Sequence, residues 1–362
     1  MKTILTVVGA RPQFIKAAAV SRVLQSEPYF EEHLVHTGQH FDQNMSEIFF
    51  KELGIPAPRY DLGISGGTHG QMTGEMLKQL EQTMIAVKPD LVIVYGDTNS
   101  TLAGALAASK LHIPLAHIEA GLRSFNKQMP EEINRILTDH CADFLFTPTE
   151  TATQHLLKEG FQPSVITQVG DVMFDVARYA KGLAAHKRQL LTDLKVSEQN
   201  YILATIHRQE NTDSRDRLST IFEAFNRISE EYPIILPLHP RTKKRLSEYQ
   251  LDSLLSKLII TPPLGYLEMV TLECNAALIV TDSGGVQKEA FFHEIPCVTL
   301  RDETEWTELV ESGWNRLITP QNSLEIFNQT LKAIGTHGEQ ITPYGVGHAA
   351  DLIVSRLKAI LD

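Results

Sequence analysis

No apolar run in this chain approaches the roughly 20 residues of a membrane span, so the sequence predicts a protein that does not cross a bilayer. It also lacks any block of basic side chains, and its 362 residues carry a net charge of −11. Nucleic acid and acidic membrane surfaces are therefore not expected as partners. Cysteine is scarce. Cys141, Cys274 and Cys297 are odd in number and scattered, each in or beside an apolar stretch. That pattern predicts buried free thiols and a reducing, cytoplasmic compartment rather than a disulfide framework. The opening MKTILTVVGARPQF has a short apolar stretch, Ile4 to Ala10, that runs into Arg11-Pro12 without a small-residue cleavage pattern. It reads as a first strand, not a secretory signal. Low-complexity segments and a repeat between the two halves are also missing.

What the chain does contain is alternation. Apolar, β-branched runs alternate with amphipathic helical stretches, the pattern of a parallel α/β architecture, and the length favours two domains. Expected strands in the first half are 3–9, 33–38, 90–96, 114–120 and 144–148. The second half supplies 165–169, 201–207, 233–239, 258–262, 276–282 and 296–300. Helices are expected at 73–88, 100–111, 131–142, 150–159, 217–231 and 286–293, with a polar helical stretch at about 174–198. The expected division is 1–168 and 169–346, with a terminal helix of about 347–362 packing back on the first domain.

In such sheets ligands bind beyond the carboxyl ends of strands, so chemistry is sought there first. Gly9-Ala10-Arg11-Pro12 ends the first strand, and Arg11 and Lys16 fall near a helix N-terminus that favours anions. By itself this is also an ordinary capped turn with solvated cations. Asp97 follows the strand LVIVYG and could be a helix cap, although Thr98, Asn99 and Ser100 could cap equally well. Glu119 closes the apolar strand PLAHIEA, where an acid needs either a function or a partner such as Arg123 or Arg135. Pro130-Glu131-Glu132 opens a helix with routine first-turn acids. His207-Arg208 and His239 stand at the ends of two later strands. The stretch TDSGGVQKEA, 281–290, is the most specific. Ser283, Gly284 and Gly285 lead from a strand directly into a helix, so backbone N–H groups can approach a diphosphate. Glu289, one turn on, could reach ribose hydroxyls; the alternative is a Gly-rich turn capped by Ser283.

Gly345-x-Gly347-x-x-Ala350 has dinucleotide spacing but no preceding strand, so no NAD site is expected. His36 and His40 have metal-like spacing with no evident third ligand, and neither metal nor cofactor is predicted.

Taken together, GARPQFIK (9–16), YGDTNSTLAG (95–104), HIEAGLRS (117–124), MPEEINR (129–135), FTPTE (146–150), HRQEN (207–211), LHPRT (238–242), TDSGGVQKEA (281–290) and RDETEW (301–306) resemble the non-hydrolysing UDP-N-acetylglucosamine 2-epimerase family. The resemblance covers nearly the whole chain. It implies two Rossmann-like domains with a deep interdomain cleft, the GT-B-type fold, and a homodimer. It implies a UDP-sugar substrate and catalytic positions at Asp97, Glu119, Glu131 and His207. Arg11, Lys16, Arg135, Arg208, His239, Ser283, Gly284, Gly285 and Glu289 match positions around the nucleotide and substrate. The implied reaction eliminates UDP, passes through a 2-acetamidoglucal, and adds UDP back after C2 is protonated on its other face.

Three stretches depart from the best-known members: Gln39-His40-Phe41-Asp42-Gln43-Asn44-Met45, Arg123 to Met129, and Thr304-Glu305-Trp306-Thr307. All three look like the branch acting on UDP-2,3-diacetamido-2,3-dideoxy-glucuronate, an O-antigen precursor. Loss of positive charge at Phe41-Asp42 and Trp306 predicts hyperbolic kinetics, and Lys127 or Arg123 is expected to meet a C6 carboxylate. A glycosyltransferase on the same fold would share the diphosphate turn but would use the space of Glu119 and Glu131 for an acceptor. A hydrolysing 2-epimerase, releasing free sugar, is the nearer variant.

Overall fold

The protein is described from a computed structural model covering residues 1–39 and 52–362. Apolar runs that are buried on both faces become the strands of two parallel sheets, as helix-covered strands must. The first sheet contains β1 (Lys2–Val8), β2 (Phe30–His36), β3 (Tyr60–Asp61), β4 (Leu91–Tyr95), β5 (Leu115–Ile118), β6 (Phe144–Thr147) and β7 (Ile166–Gln168). The second contains β8 (Ile202–Thr205), β9 (Ile234–Pro237), β10 (Ile259–Thr261), β11 (Leu278–Thr281), β12 (Cys297–Leu300) and β13 (Asn315–Ile318).

Strand order among the described residues is β3-β2-β1-β4-β5-β6-β7 in one sheet and β10-β9-β8-β11-β12-β13 in the other. Each order reverses beside its first strand, at β1/β4 and at β8/β11, where both pairings are parallel. Those reversals are the switch points at which open α/β sheets bind ligands. The expected strands appear with ends shifted by a few residues. Short β3 and edge strand β13 were not foreseen, because Asn315-Arg316 interrupts the apolar pattern of the latter. The stretch about 174–198 is not one helix. It divides into Val172–Ala184, a short 3₁₀ turn at Ala185–Lys187, and Gln189–Asp193.

Two compact units result, Met1–Val176 with Thr342–Asp362, and Ala177–Ile341. In the first, Leu5, Val7, Val92 and Val94 pack against Met76, Leu80 and Met84 and the alanines of helix Asn99–Lys110. In the second, Ile202, Ala204, Val280 and Val298 pack against Phe222 and Phe225. The terminal helix Ala349–Leu361 belongs to the first unit: Asp175 accepts the N–H groups of Ala349 (3.1 Å) and Ala350 (2.9 Å), and Lys358 pairs with Glu27 (2.9 Å). Gly170 explains how the returning chain fits. A Cβ there would lie 2.7 Å from the Tyr344 carbonyl, and φ is +91°. Only glycine meets both conditions without strain. No helix among the described residues is long and apolar enough to cross a membrane.

The cysteines are free thiols, with Cys297 buried and Cys141 and Cys274 only partly so. Burial pushes the thiols of Cys274 and Cys297 up to about 12, which leaves them protonated and unreactive.

Candidate active site

The β1/β4 switch point is held by a residue that the motif reading passed over. Gln13 is buried in helix Arg11–Ser26, and its Oε1 accepts the N–H groups of Gly9 (2.8 Å) and Ala10 (3.1 Å). Its Nε2 donates to the Tyr95 carbonyl (2.9 Å) and to Thr101 Oγ1 (2.9 Å). One amide thus ties the ends of β1 and β4 to the next helix with all its hydrogen-bonding capacity used. A lone amide on an apolar helix face was the signal available in the sequence.

Asp97 is not the cap of helix Asn99–Lys110. Thr98 takes that role, its hydroxyl accepting from the Thr101 N–H. Asp97 instead pairs with Arg135, and Asn134 Nδ2 donates to its backbone carbonyl (2.9 Å). Glu119 pairs with neither Arg123 nor Arg135, the two partners considered from sequence. Its partner is Lys16, one turn into the first helix. Burial works against the charge on Lys16, but Glu119, then Asp97 and Asp171, outweigh it and raise the ammonium above the ordinary lysine range. Gly96 makes room for this pair: a Cβ there would lie 3.0 Å from Glu119 Oε2 and 3.4 Å from Lys16 Nζ. Glu119 itself sits at φ +72°, a costly conformation for a residue with a side chain. Lys16, Glu119, Gly96, Asp97 and Arg135 are therefore brought together.

Glu131 stands in the exposed first turn of helix Pro130–Cys141, with no hydrogen bond or ion pair among the described residues. Its neighbour Glu132 is buried and accepts from Ser124 N–H (2.9 Å), Ser124 Oγ (3.0 Å) and Phe125 N–H (2.8 Å). Arg123 is not available to meet a substrate carboxylate. Its side chain is 1% exposed and lies 2.7 Å from both Asp139 and Glu159. A guanidinium so engaged is a structural cross-link.

The β8/β11 switch point is organised by Asp282, a second residue whose role the sequence did not disclose. It is fully buried and accepts N–H groups of His207 (3.0 Å) and Arg208 (3.0 Å) together with Asn211 Nδ2 (3.1 Å). His207 Nδ1 lies 3.7 Å from it. The rings of His207 and His239 are 5.5 Å apart. His239 Nδ1 accepts from the Arg241 N–H (3.2 Å), so the other nitrogen carries the proton of the neutral ring. Burial, then His207 and Arg241, hold His239 below the ordinary imidazole range.

Ser283 occupies the cap position of helix Gly284–Phe292 yet makes no side-chain capping bond. Its hydroxyl therefore does not take up the first N–H groups of the helix. Arg208, Glu305 and Trp306 surround the turn, each with an atom 3.7 Å from the position of a Gly284 Cβ. Trp306 Nε1 donates to the Gly284 carbonyl (2.9 Å), and Lys288 Nζ lies 4.4 Å from the tryptophan ring centre. Glu289 lies on the same helix, near buried Glu273. Arg11 opens the first helix of the other unit.

Among the described residues, no three His, Cys, Asp or Glu side chains converge as a metal site would. His36 faces Asp61 at 3.4 Å, while His40 and the departures up to Met45 lie outside the described residues.

A family model described as UDP-N-acetylglucosamine 2-epimerase matches residues 22–358. A Methanococcus maripaludis UDP-N-acetylglucosamine 2-epimerase homolog is 52% identical over 98% of this chain and 99% of its own. The UDP-2,3-diacetamido-2,3-dideoxy-D-glucuronate 2-epimerase of Pseudomonas aeruginosa is also 52% identical, with the same coverage. The crystal structure of Methanocaldococcus jannaschii UDP-GlcNAc 2-epimerase with UDP-GlcNAc and UDP superposes with a TM-score of 0.85. It is 44% identical and covers 99% of this chain and 100% of its own.

Proposed function

The chain belongs to the UDP-N-acetylglucosamine 2-epimerase family and is an isomerase of GT-B-type fold, and from that premise we propose how its residues divide the reaction. The substrate is a UDP-activated N-acetylated amino sugar, inverted at C2 without hydrolysis. Its C2 proton has no neighbouring carbonyl to acidify it. The C1–O bond therefore breaks with its electron pair leaving on UDP, while the C2–H pair becomes the C1=C2 bond of a 2-acetamidoglucal. UDP then adds back to C1 as C2 takes a proton on its opposite face.

The observation that carries this reading is the pair of carboxylates at the ends of β4 and β5, each held by a cation. Asp97, Glu119 and Glu131 serve as the acid–base groups, and Lys16 and Arg135 hold two of them in place by ion pairs. The charge growing on UDP is met by His207, His239, Arg11, Arg208, the Ser283 hydroxyl and the N–H groups of Gly284 and Gly285. Glu289 accepts ribose hydroxyls. No metal or redox cofactor enters the scheme.

We place the diacetamido-glucuronate first among candidate substrates, with UDP-N-acetylglucosamine second. Support comes from the Pseudomonas aeruginosa relative and from Trp306, which stands where the better-known branch has arginine. With Arg123 engaged, exposed Lys127 is the remaining cation of that loop for a C6 carboxylate. Proton NMR in D₂O, run on both sugars, tests mechanism and substrate together. Deuterium should enter C2 without added metal or NAD, and faster in the uronate. Full retention of hydrogen at C2 during turnover would exclude a solvent-exchanging elimination.

The product fits the supply of surface-polysaccharide precursors in the cytoplasm. The active form is a homodimer. Met129, Ile133 and Leu137, 39–46% exposed and four residues apart, leave an apolar stripe on helix Pro130–Cys141 for a second copy to cover. Sedimentation should show a dimer, weakened by Ile133→Lys; a monomer at micromolar concentration would refute it.

A further inference from the structure

His117 shares the HIEAGLR stretch with Glu119, yet no step above uses it. Both it and Asp139 are fully buried. Its Nδ1 donates to Asp139 Oδ1 (2.6 Å), and its Nε2 donates to the Gly96 carbonyl (2.8 Å). Both ring nitrogens face acceptors, so both contacts are hydrogen bonds only when the ring holds two protons. Asp139 Oδ2 accepts the Gly121 N–H (3.2 Å) and lies 2.7 Å from Arg123 Nη1, which continues to Glu159. Burial works against a charge on Asp139, but His117 and Arg123 outweigh it and hold the carboxyl below its usual range.

The positions gripped are informative. Gly96 directly precedes Asp97, and Gly121 follows Glu119 by two residues. Between them Glu119 is held at φ +72°, and such a conformation persists only where its surroundings over-determine it. The network anchors Gly121, two residues beyond Glu119, and ties that anchor to the end of β4. His117, Asp139, Arg123 and Glu159 thus form one linked chain that runs from the end of β4 to the loop after β5.

We propose that His117 is a positioning residue, an imidazolium that with Asp139 clamps the backbone beside Asp97 and Glu119 and sets where both carboxylates stand against C2. Misplacement by an ångström is enough to cost a reaction about 100-fold. The proposal rests on the reading of Asp97 and Glu119 as acid–base groups. The two fail differently: if that reading is wrong, Glu119→Gln keeps its turnover, whereas if only the clamp is wrong, Glu119→Gln loses turnover and the His117 variants keep it.

Two substitutions separate the contacts. The amide nitrogen of an asparagine stands near the position of Nδ1, and that of a glutamine near Nε2. His117→Asn therefore keeps Asp139 and drops Gly96, and His117→Gln does the reverse. His117→Asn is expected to lower kcat about 100-fold and His117→Gln about tenfold. KM and the Kd for UDP should stay within about twofold in both, which a general loss of structure would not allow. A folded His117→Asn protein with kcat within about threefold of the parent overturns the proposal. So does equal loss in the two variants, or a parallel fall of kcat and UDP binding. Should neither variant fold, ¹⁵N-histidine NMR of the unaltered enzyme decides. Two protonated ring nitrogens on His117 near neutral pH are expected, and one bare nitrogen overturns the clamp.

Discussion

At the carboxyl ends of β4 and β5, the acids Asp97 and Glu119 are paired side chain to side chain with Arg135 and Lys16. At the ends of β8 and β11, the acid is Asp282, and its partners are backbone N–H groups and an amide. Both switch points place acids at strand ends, but they use them differently. In the first unit each of the two carboxylates, to which proton transfer is assigned by proposal, is paired with a largely buried side-chain cation. In the second, Asp282 is committed to shaping the His207-Arg208 turn, and what remains for a ligand is a set of donors: the Ser283 hydroxyl, open helix N–H groups and imidazoles. On the proposed division of roles, the same βα topology would serve acid–base work in one unit and anion binding in the other. Residue type at each strand end, not strand order, makes that difference.

The largest effect expected from this contrast is on turnover. Glu119→Gln or Asp97→Asn should lower kcat by about two orders of magnitude or more, the usual scale for a general acid–base group. Affinity for UDP, measured by calorimetry, should change little, because the groups assigned to the diphosphate are untouched. If either variant binds UDP tenfold more weakly while turning over normally, the division of labour is wrong. Glu131→Gln is a sharper trial, since this side chain has no partner among the described residues whose loss could confuse the result. It too should lose kcat on the same scale.

A smaller and opposite effect is expected from Ser283→Ala. One hydrogen bond to a charged group contributes about 1.5–3 kcal/mol, so UDP should bind about 10- to 100-fold more weakly. At saturating substrate, kcat should fall less than KM rises. Since Ser283 caps nothing, thermal stability should be unchanged. A loss of stability with unaltered UDP binding would return the residue to an ordinary helix start.

How far the sequence disclosed these sites depended on whether the needed fact was local. A strand that ends in a polar residue is a local fact, and so Asp97, Glu119, His207 and the 283–285 turn were all found where strands stop. Partnership is not local. Lys16 and Glu119 are 103 residues apart, and the expected partners of Glu119 were simply the nearest arginines along the chain. Arg123 failed in the same way: its position in a loop suggested access to a ligand, whereas Asp139, from a later helix, and Glu159, just past the end of the next, enclose it. Gln13 and Asp282 work by gathering backbone groups from several loops, and backbone groups leave no mark in a sequence. The edge strand β13 was missed because Asn315-Arg316 breaks its apolar run, and that Asn315 is buried on hydrogen bonds to Thr299 and Gln287 is again not a local fact.

The contrast also extends to buried groups away from the sites, where it predicts the smallest effect. In the first unit the cluster of His117, Asp139 and Arg123 satisfies itself, while Glu32 is raised by burial and keeps one oxygen without a hydrogen-bond partner among the described residues. In the second unit Glu273 and His293 are almost fully buried, 3.7 Å apart, and Glu273 Oε2 and both His293 nitrogens lack hydrogen-bond partners among the described residues. Each escapes the cost by staying neutral. Burial, and then Glu289, push the Glu273 carboxyl well above its usual range; burial, and then Lys181, push His293 down to about 3. The signs follow from which state holds the proton. Folded Glu273 keeps a proton that the unfolded chain releases above about pH 4.5, so its contribution to stability declines as pH rises through that window. Folded His293 refuses a proton that the unfolded chain accepts below about pH 6.5, so its contribution declines as pH falls toward 3. Glu273→Gln removes the first of these and not the second. The variant should melt close to the parent at pH 5 and above it at pH 8. Each pKa unit of displacement covered by that window is worth about 1.4 kcal/mol. In a domain of this size about 1 kcal/mol moves the midpoint by roughly 2–4 °C. Thermal unfolding at the two pH values measures the difference directly. An equal shift at both would mean that Glu273 is ionised in the folded protein and paired after all, and the second unit would then treat its buried charges as the first unit does.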